Sequence, residues 1–175
     1  ACLVGSEMCI RDRYKVLPLK IYVSTYYGRR YVLVWNYIFK RFAFYRLDRI
    51  KEVCKSNECT NKNEMMMRAD TAVQKLWGVS FGKENYTEKL EMTVRIAKDE
   101  EYILKRLERE KRNGTIQKLA NGDYKFTAEV YDASEMVPWI KTFTGRIVEI
   151  KCSNERVEKQ IKEDFEMMKR IYEVR

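Results

Sequence analysis

The 175-residue sequence predicts an α+β chain: part of a small antiparallel β-barrel, then a second domain in which strands and helices alternate. Three observations carry this. Residues 16–53 are dense in β-branched and aromatic residues and broken only by short turns, the pattern of an antiparallel meander. Residues 55–83 are polar and turn-prone at first, then repeat Met66, Ala69, Val73 and Leu76 at helical spacing. Beyond them, period-two alternation and helical periodicity succeed each other in the order β-α-β-β-α-β, with a final helix. The expected organisation is therefore a tail at 1–13, a barrel at 14–54, a linker with a helix at 55–83 and a second domain at 84–175.

The tail is set apart because LVGSEMCIRDR, residues 3–13, has neither helical nor strand periodicity. It resembles one reading frame of a transposase adapter used in sequencing libraries, and is left out of the fold on that ground. It is also no secretory signal, since its basic residues follow its apolar ones. On this reading the chain opens at Tyr14 inside a gene. Residues 1–13 are then expected either to be disordered or to occupy a vacant strand edge.

The barrel strands are VLPLKIYVST, RRYVLVWNY and RFAFYRLDRI, the first turning at Tyr27-Gly28, with Pro18 at an edge where a missing N–H is tolerated. A helix is expected from about Glu64 to Leu76, with Met65 to Met67 as adaptable packing. EKLEMTVRI sets Leu90, Met92, Val94 and Ile96 on one face of a half-buried strand. Asp99 caps the next helix, Glu100 and Glu101 fall in its first turn, Lys111 and Arg112 in its last, and Gly114 stops it. TIQKLANGDYKFTAEVY reads as a hairpin with a type I′ turn at Asn121-Gly122. EMVPWIKTFTG is a helix with Pro138 in its first turn, RIVEIKC a strand, and the last helix aligns Val157, Ile161, Phe165, Met168 and Tyr172. That order of elements is a split βαβ, ferredoxin-like layout.

Composition narrows the function classes. The formal charge of +9 is concentrated in residues 14–54, where nine Lys and Arg face only Asp48 and Glu52. A basic segment rich in Tyr and Phe suits phosphate-bearing partners, because cations displace counterions and rings stack on bases; the alternative is a solvated basic face. No apolar run is long enough to span a membrane, which predicts a soluble protein with no membrane partner. Outside the tail only Cys54, Cys59 and Cys152 remain, without CxxC spacing, which points to a reducing cytoplasm. The sequon at Asn85-Tyr86-Thr87 is then a chance match.

Catalytic patterns do not assemble. GVSFG at 78–82 matches the G-x-S-x-G nucleophile elbow in letters, but it follows a helical pattern, and the chain has no histidine to act as base. Missing histidines also remove HExxH zinc sites, and no P-loop or GxGxxG is present. No catalytic residue, metal site or cofactor is expected, and the chain is read as a non-enzyme. The positive signal is Arg46-Leu47-Asp48-Arg49-Ile50: Arg46 and Arg49, with Arg29, Arg30 and Arg41 nearby, offer planar donors to phosphate or carboxylate oxygens. A local Arg46–Asp48 pair is the competing explanation.

VLPLKIYVS, GRRYVLVWN and FYRLDRI together resemble the WYL domain, with its V-x-P entry, aromatic-x-Leu strand and F-R-L-D-R-I strand. The eponymous Trp-Tyr-Leu falls on Tyr31-Val32-Leu33, where only the leucine is retained. PWIKTFTGRIVEIKC and DFEMMKRIYE resemble the C-terminal extension of that family. The resemblance implies an SH3-like or Sm-like barrel lacking its first strand, a ferredoxin-like extension, and the C-terminal part of a bacterial transcriptional regulator. In that family a winged helix-turn-helix upstream binds DNA, and the barrel senses an anionic ligand, in some members a nucleic-acid fragment, within a homodimer. Carried over by position, the matching residues are Tyr31, Leu33, Arg46, Asp48 and Arg49, with Leu33 in the core and Trp139 packing helix on sheet. Two other readings are a direct RNA- or single-strand-binding module and a structural interaction domain.

Overall fold

The computed structural model describes residues 2–6, 9–24, 28–55, 61–82 and 86–173, so the Tyr27 of the expected first turn and Cys59 lie outside it. The chain is α+β and divides into two compact units, Ala1–Asn85 and Tyr86–Arg175.

The first unit contains strands β1 (Cys2–Ser6), β2 (Cys9–Val23), β3 (Arg30–Asn36), β4 (Arg41–Arg46) and β5 (Glu52–Cys54), with a 3₁₀ turn at Leu47–Arg49 and helix α1 (Lys62–Val73). Its sheet runs β4-β3-β2-β1-β5, and every pairing is antiparallel. The long β2 is shared, its first half pairing with β1 and its second, from Val16, with β3. No ladder joins β4 to β5 among the described residues, so hydrogen bonding does not close the sheet into a barrel. The adapter-like residues supply β1 and the start of β2, filling the edge that the sequence reading leaves vacant. Pro18 sits where β2 has a partner on one side only and where the register against β3 shifts, so its missing N–H breaks no ladder.

Both faces of this sheet are packed. Val16, Val32 and Val34 form one core with Tyr14, Ala43, Tyr45, Leu47 and Ile50 around it. On the other face, Phe81 stacks on Phe44 at 5.5 Å and leans on Phe42 at 6.0 Å. There α1 contributes an Arg68 guanidinium 5.2 Å from the Trp35 ring. The segment read as a linker is therefore part of the first unit, with Met65, Ala69, Trp77 and Phe81 buried. Its helix covers Lys62–Val73, starting and stopping earlier than the Met66-to-Leu76 repeat suggests.

The second unit contains β6 (Glu88–Val94), α2 (Glu101–Glu110), β7 (Thr115–Lys118), β8 (Tyr124–Val130), a 3₁₀ turn at Ala133–Met136, α3 (Val137–Lys141), β9 (Ile147–Cys152) and α4 (Glu155–Glu173). Its antiparallel sheet runs β7-β8-β6-β9. Leu90, Met92, Val94, Phe126 and Val130 are wholly buried on one face, with Leu107 of α2, Ile140 of α3 and Ile161 of α4.

Three local expectations are corrected. Glu100, not Asp99, precedes α2, and its carboxylate accepts from the Ala97 N–H at 3.3 Å and pairs with Arg146. After α2 the left-handed position is taken by Arg112 at φ 48°, while Gly114 lies against the Phe126 ring. The β7–β8 turn is not type I′: only Gly122 has positive φ, at 90°, and its N–H reaches the Leu119 carbonyl at 3.0 Å. That is a type I turn closed by a left-handed glycine, the three-residue hairpin loop.

Candidate functional site

Four of the five predicted arginines fall at one corner of the first sheet. Arg29 and Arg30 enter β3 from a loop in which Gly28, at φ 62°, donates to the Ser24 carbonyl at 2.8 Å and Ser24 donates to the Arg29 carbonyl at 2.9 Å. A left-handed residue is needed there, which glycine supplies without steric cost. Tyr31 pairs with Arg46, so the end of β4 lies beside the start of β3. The strand stops at Arg46 because Leu47 and Ile50, three residues apart, both turn into the apolar core, and a 3₁₀ turn aligns residues at that spacing. Asp48 and Arg49 are consequently turned out and exposed. The reading of FYRLDRI as one continuous strand is corrected to this extent.

The corner holds four guanidiniums and the carboxylate of Asp48. Arg46 grips it with both arms: Nε donates to Oδ1 at 3.0 Å and Nη2 to Oδ2 at 2.5 Å. The hydrogen bond from Arg46 holds the Asp48 carboxyl below its ordinary range. Arg30 and Arg49 make no ion pair with the described residues, and both are exposed. By strand alternation Arg30 and Arg46 leave opposite faces of the sheet, so a ligand meeting both wraps its edge instead of lying on one face.

Tyr31 lies at this corner but does not open onto it, and Arg41 lies away from it. Tyr31 is only 8 % exposed, its ring edge-on to Phe44 at 6.3 Å, and it serves the packed face and not an open stacking surface. Leu33 is 1 % exposed, in the core. Arg41 starts β4, opposite Asn36 and at the other end of the strand from Arg46. Its guanidinium lies 5.5 Å from the Phe39 ring, and Phe39 is 5.8 Å from Tyr14, which stacks on Tyr45 at 6.0 Å.

Sequence reading missed this second, aromatic cluster. Its organiser is the buried Asn36, whose Oδ1 accepts from the N–H groups of Ile38 and Phe39 at 2.9 and 3.1 Å while its Nδ2 donates to the Tyr45 hydroxyl at 3.1 Å. These bonds hold the hairpin tip with Ile38 and Phe39 more than half exposed, at 58 % and 53 %. The available signal was an asparagine opening a four-residue turn, since Asn side chains bond their own backbone two residues on.

Other chemistry-bearing residues have structural partners. Ser80 lies in the turn segment after α1, where its Oγ accepts from the Gly82 N–H at 3.2 Å, so GVSFG does not sit between a strand and a helix. The Cys152 thiol is buried and its pKa pushed up by that burial. Among the described residues, no group of His, Cys, Asp and Glu could hold a metal ion, and no helix is long and apolar enough to cross a membrane. Trp139 packs between Phe126 and Phe143, each at 5.1 Å, as expected of a residue joining helix to sheet. Compared with models of known families and with curated proteins, the chain matches none.

Proposed function

We propose that this chain is the ligand-sensing and oligomerisation region of a WYL-type transcriptional regulator, acting in the cytoplasm as a homodimer. Its DNA contact would come from a winged helix-turn-helix outside this sequence. Support comes first from strand order. The run β4-β3-β2-β1-β5, with a 3₁₀ turn between β4 and β5, fits an SH3-like unit. The run β7-β8-β6-β9, with helices following β6 and β8 in the chain, fits a ferredoxin-like unit.

The observation that carries the ligand reading is the arginine corner, where FYRLDRI ends in a turn that presents Arg46 and Arg49 beside Arg29 and Arg30. Planar donors at that density match the oxygens of a phosphate or carboxylate. Only a ligand that favours one dimer arrangement over another shifts the population, so the sensing step is linkage between this corner and the dimer contact. A second reading, a direct single-strand nucleic-acid module, is favoured by the exposed Phe39 with Arg41 and Tyr14 beside it.

Anisotropy of a short labelled single-stranded oligonucleotide across a salt series separates the two. The sensor reading expects R30E and R49E each to weaken binding about tenfold or more, with F39A and R41E close to wild type. The reverse ranking favours the stacking module. Absence of binding at low salt overturns both nucleic-acid readings.

A further inference from the structure

The last helix is only half covered. Val157 and Ile161 of α4 are buried at 4 % and 0 % exposure, yet along the same helix Met167, Ile171 and Tyr172 are 62 %, 67 % and 79 % exposed. Phe165, Met168 and Tyr172 wall a shallow groove whose far side is Thr144, Gly145 and Ile147. Met167 and Ile171, one turn apart, form an apolar strip beside it, on the flank turned away from Phe165.

Charge along the margin of that strip says what could cover it. Glu163 and Arg170 are seven residues apart, two turns, so they lie on the same edge, and the midpoint between them falls half a residue from Met167. Arg170 makes no ion pair with the described residues. Glu163 is 63 % exposed and has only Lys159, at 3.5 Å within the helix.

We propose that this face pairs with the same face of a second copy, the two α4 helices running antiparallel about a two-fold axis at Met167. Each Glu163 then meets Arg170 of the other protomer, twice by symmetry, and Met167 packs on its own counterpart. A parallel arrangement sets Glu163 against Glu163 and Arg170 against Arg170, which like-charge repulsion disfavours. A contact of about three helical turns per protomer is at the small end of interfaces, so association in the micromolar range is expected. From the preceding section the proposal takes only the expectation that the chain pairs with itself.

Sedimentation equilibrium of the full chain over a range of about 1 to 100 µM, a span matched to that affinity, tests it. M167E is expected to weaken the dimer about tenfold or more, because symmetry places two carboxylates at the axis. E163R and R170E are each expected to weaken it, and the double variant E163R/R170E to restore it. Under mild oxidation M167C is expected to give a disulfide-linked dimer, while K169C, about 160° away round the helix, does not exceed the background of the native cysteines. All these positions are exposed, and far-UV circular dichroism checks that each variant folds. A dimer indifferent to M167E and to the charge exchange overturns the α4 pairing while leaving self-association on some other surface. A chain monomeric across the whole range overturns both.

Discussion

Trp139 donates its indole N–H to a Glu110 carboxylate oxygen at 3.0 Å, tying α3 to the last residue of α2. Arg106 approaches the same carboxylate at 3.1 Å and reaches the Thr142 hydroxyl at 2.7 Å, so the bond belongs to a small network. Burial pushes the Glu110 carboxyl up, but the hydrogen bonds from Arg106, Trp139 and Arg109 outweigh it and hold its pKa below the ordinary value. W139F keeps a ring between Phe126 and Phe143 and removes one donor from a partly buried carboxylate, which is expected to cost about 1–2 kcal/mol. W139A also empties the ring site and should cost about 3–5 kcal/mol. Urea unfolding measures both; a W139F variant as stable as the wild type would mean that the indole N–H contributes nothing.

Gly114 is held by space, not by backbone angle. A Cβ built there would stand 2.2 Å from Phe126 Cε2 and 2.6 Å from its Cζ, and Phe126 is 0 % exposed. The ring has nowhere to retreat without disturbing the β6–β8 core, so G114A is expected to destabilise by about 1–3 kcal/mol, the usual cost of overpacking. Shrinking the ring should recover part of that loss: in a double-mutant cycle, F126L is expected to couple favourably with G114A. Additive effects would place the clash elsewhere.

How far the sequence could be read depended on whether the partner of each pattern lay within the same stretch. EKLEMTVRI alternates, and Leu90, Met92 and Val94 are indeed wholly buried. Tyr31 to Val34 misled for the opposite reason. All four of these residues are buried, at 8 % exposure or less, because Phe81 and α1 cover the second face of the sheet, and that cover comes from a segment whose polar start resembles a linker. At RLDRI, strand alternation and the three-residue spacing of a 3₁₀ turn place Leu47 on the same side, so only tertiary packing of Ile50 decides between them. In α4 the apolar stripe was legible, but a stripe shows which residues share a face and not what covers it: full burial ends at Ile161, and Phe165 and Met168 are only partly covered. The arginine corner needed the Tyr31–Arg46 register to separate Arg41 from the rest.

Glu91 lies on the open face of the second sheet between Lys89 and Lys125, each at 2.8 Å. The hydrogen bond from Lys125, and then that from Lys89, lowers its carboxyl from 4.5 to about 2. A folded-state pKa below the unfolded one means that the ionised form favours the folded state. The contribution is therefore complete above about 4.5 and is lost as the pH falls towards 2. At neutral pH, E91Q should cost no more than about 1 kcal/mol, since the trio is partly solvated. The clearer signature is in the slope: between about pH 5 and pH 2 the wild type should lose more stability than E91Q, and the two should converge at the acid end. Parallel curves in urea unfolding across that window would show that the lysines do not hold this carboxylate.

Asp48 competes for the guanidinium that an incoming anion needs. It binds Arg46 bidentately, at 3.0 and 2.5 Å, and is itself 61 % exposed, so it contributes little to packing and can be neutralised without opening the fold. D48N leaves the size of the side chain unchanged, removes the carboxylate that Arg46 grips and releases both arms of that bidentate pair. If the arginine corner is the anion site, D48N should tighten oligonucleotide or phosphate binding several-fold and steepen its salt dependence by about one counterion. R46A should abolish most of that gain when added to D48N, because the carboxylate acts chiefly through this arginine, with Arg49 adding a weaker charge effect. The same measurement has a clear opposite result. Binding that is unchanged or weaker in D48N would make the Arg46–Asp48 pair part of the binding surface as it stands, or place the anion at the Phe39–Arg41 end of the sheet.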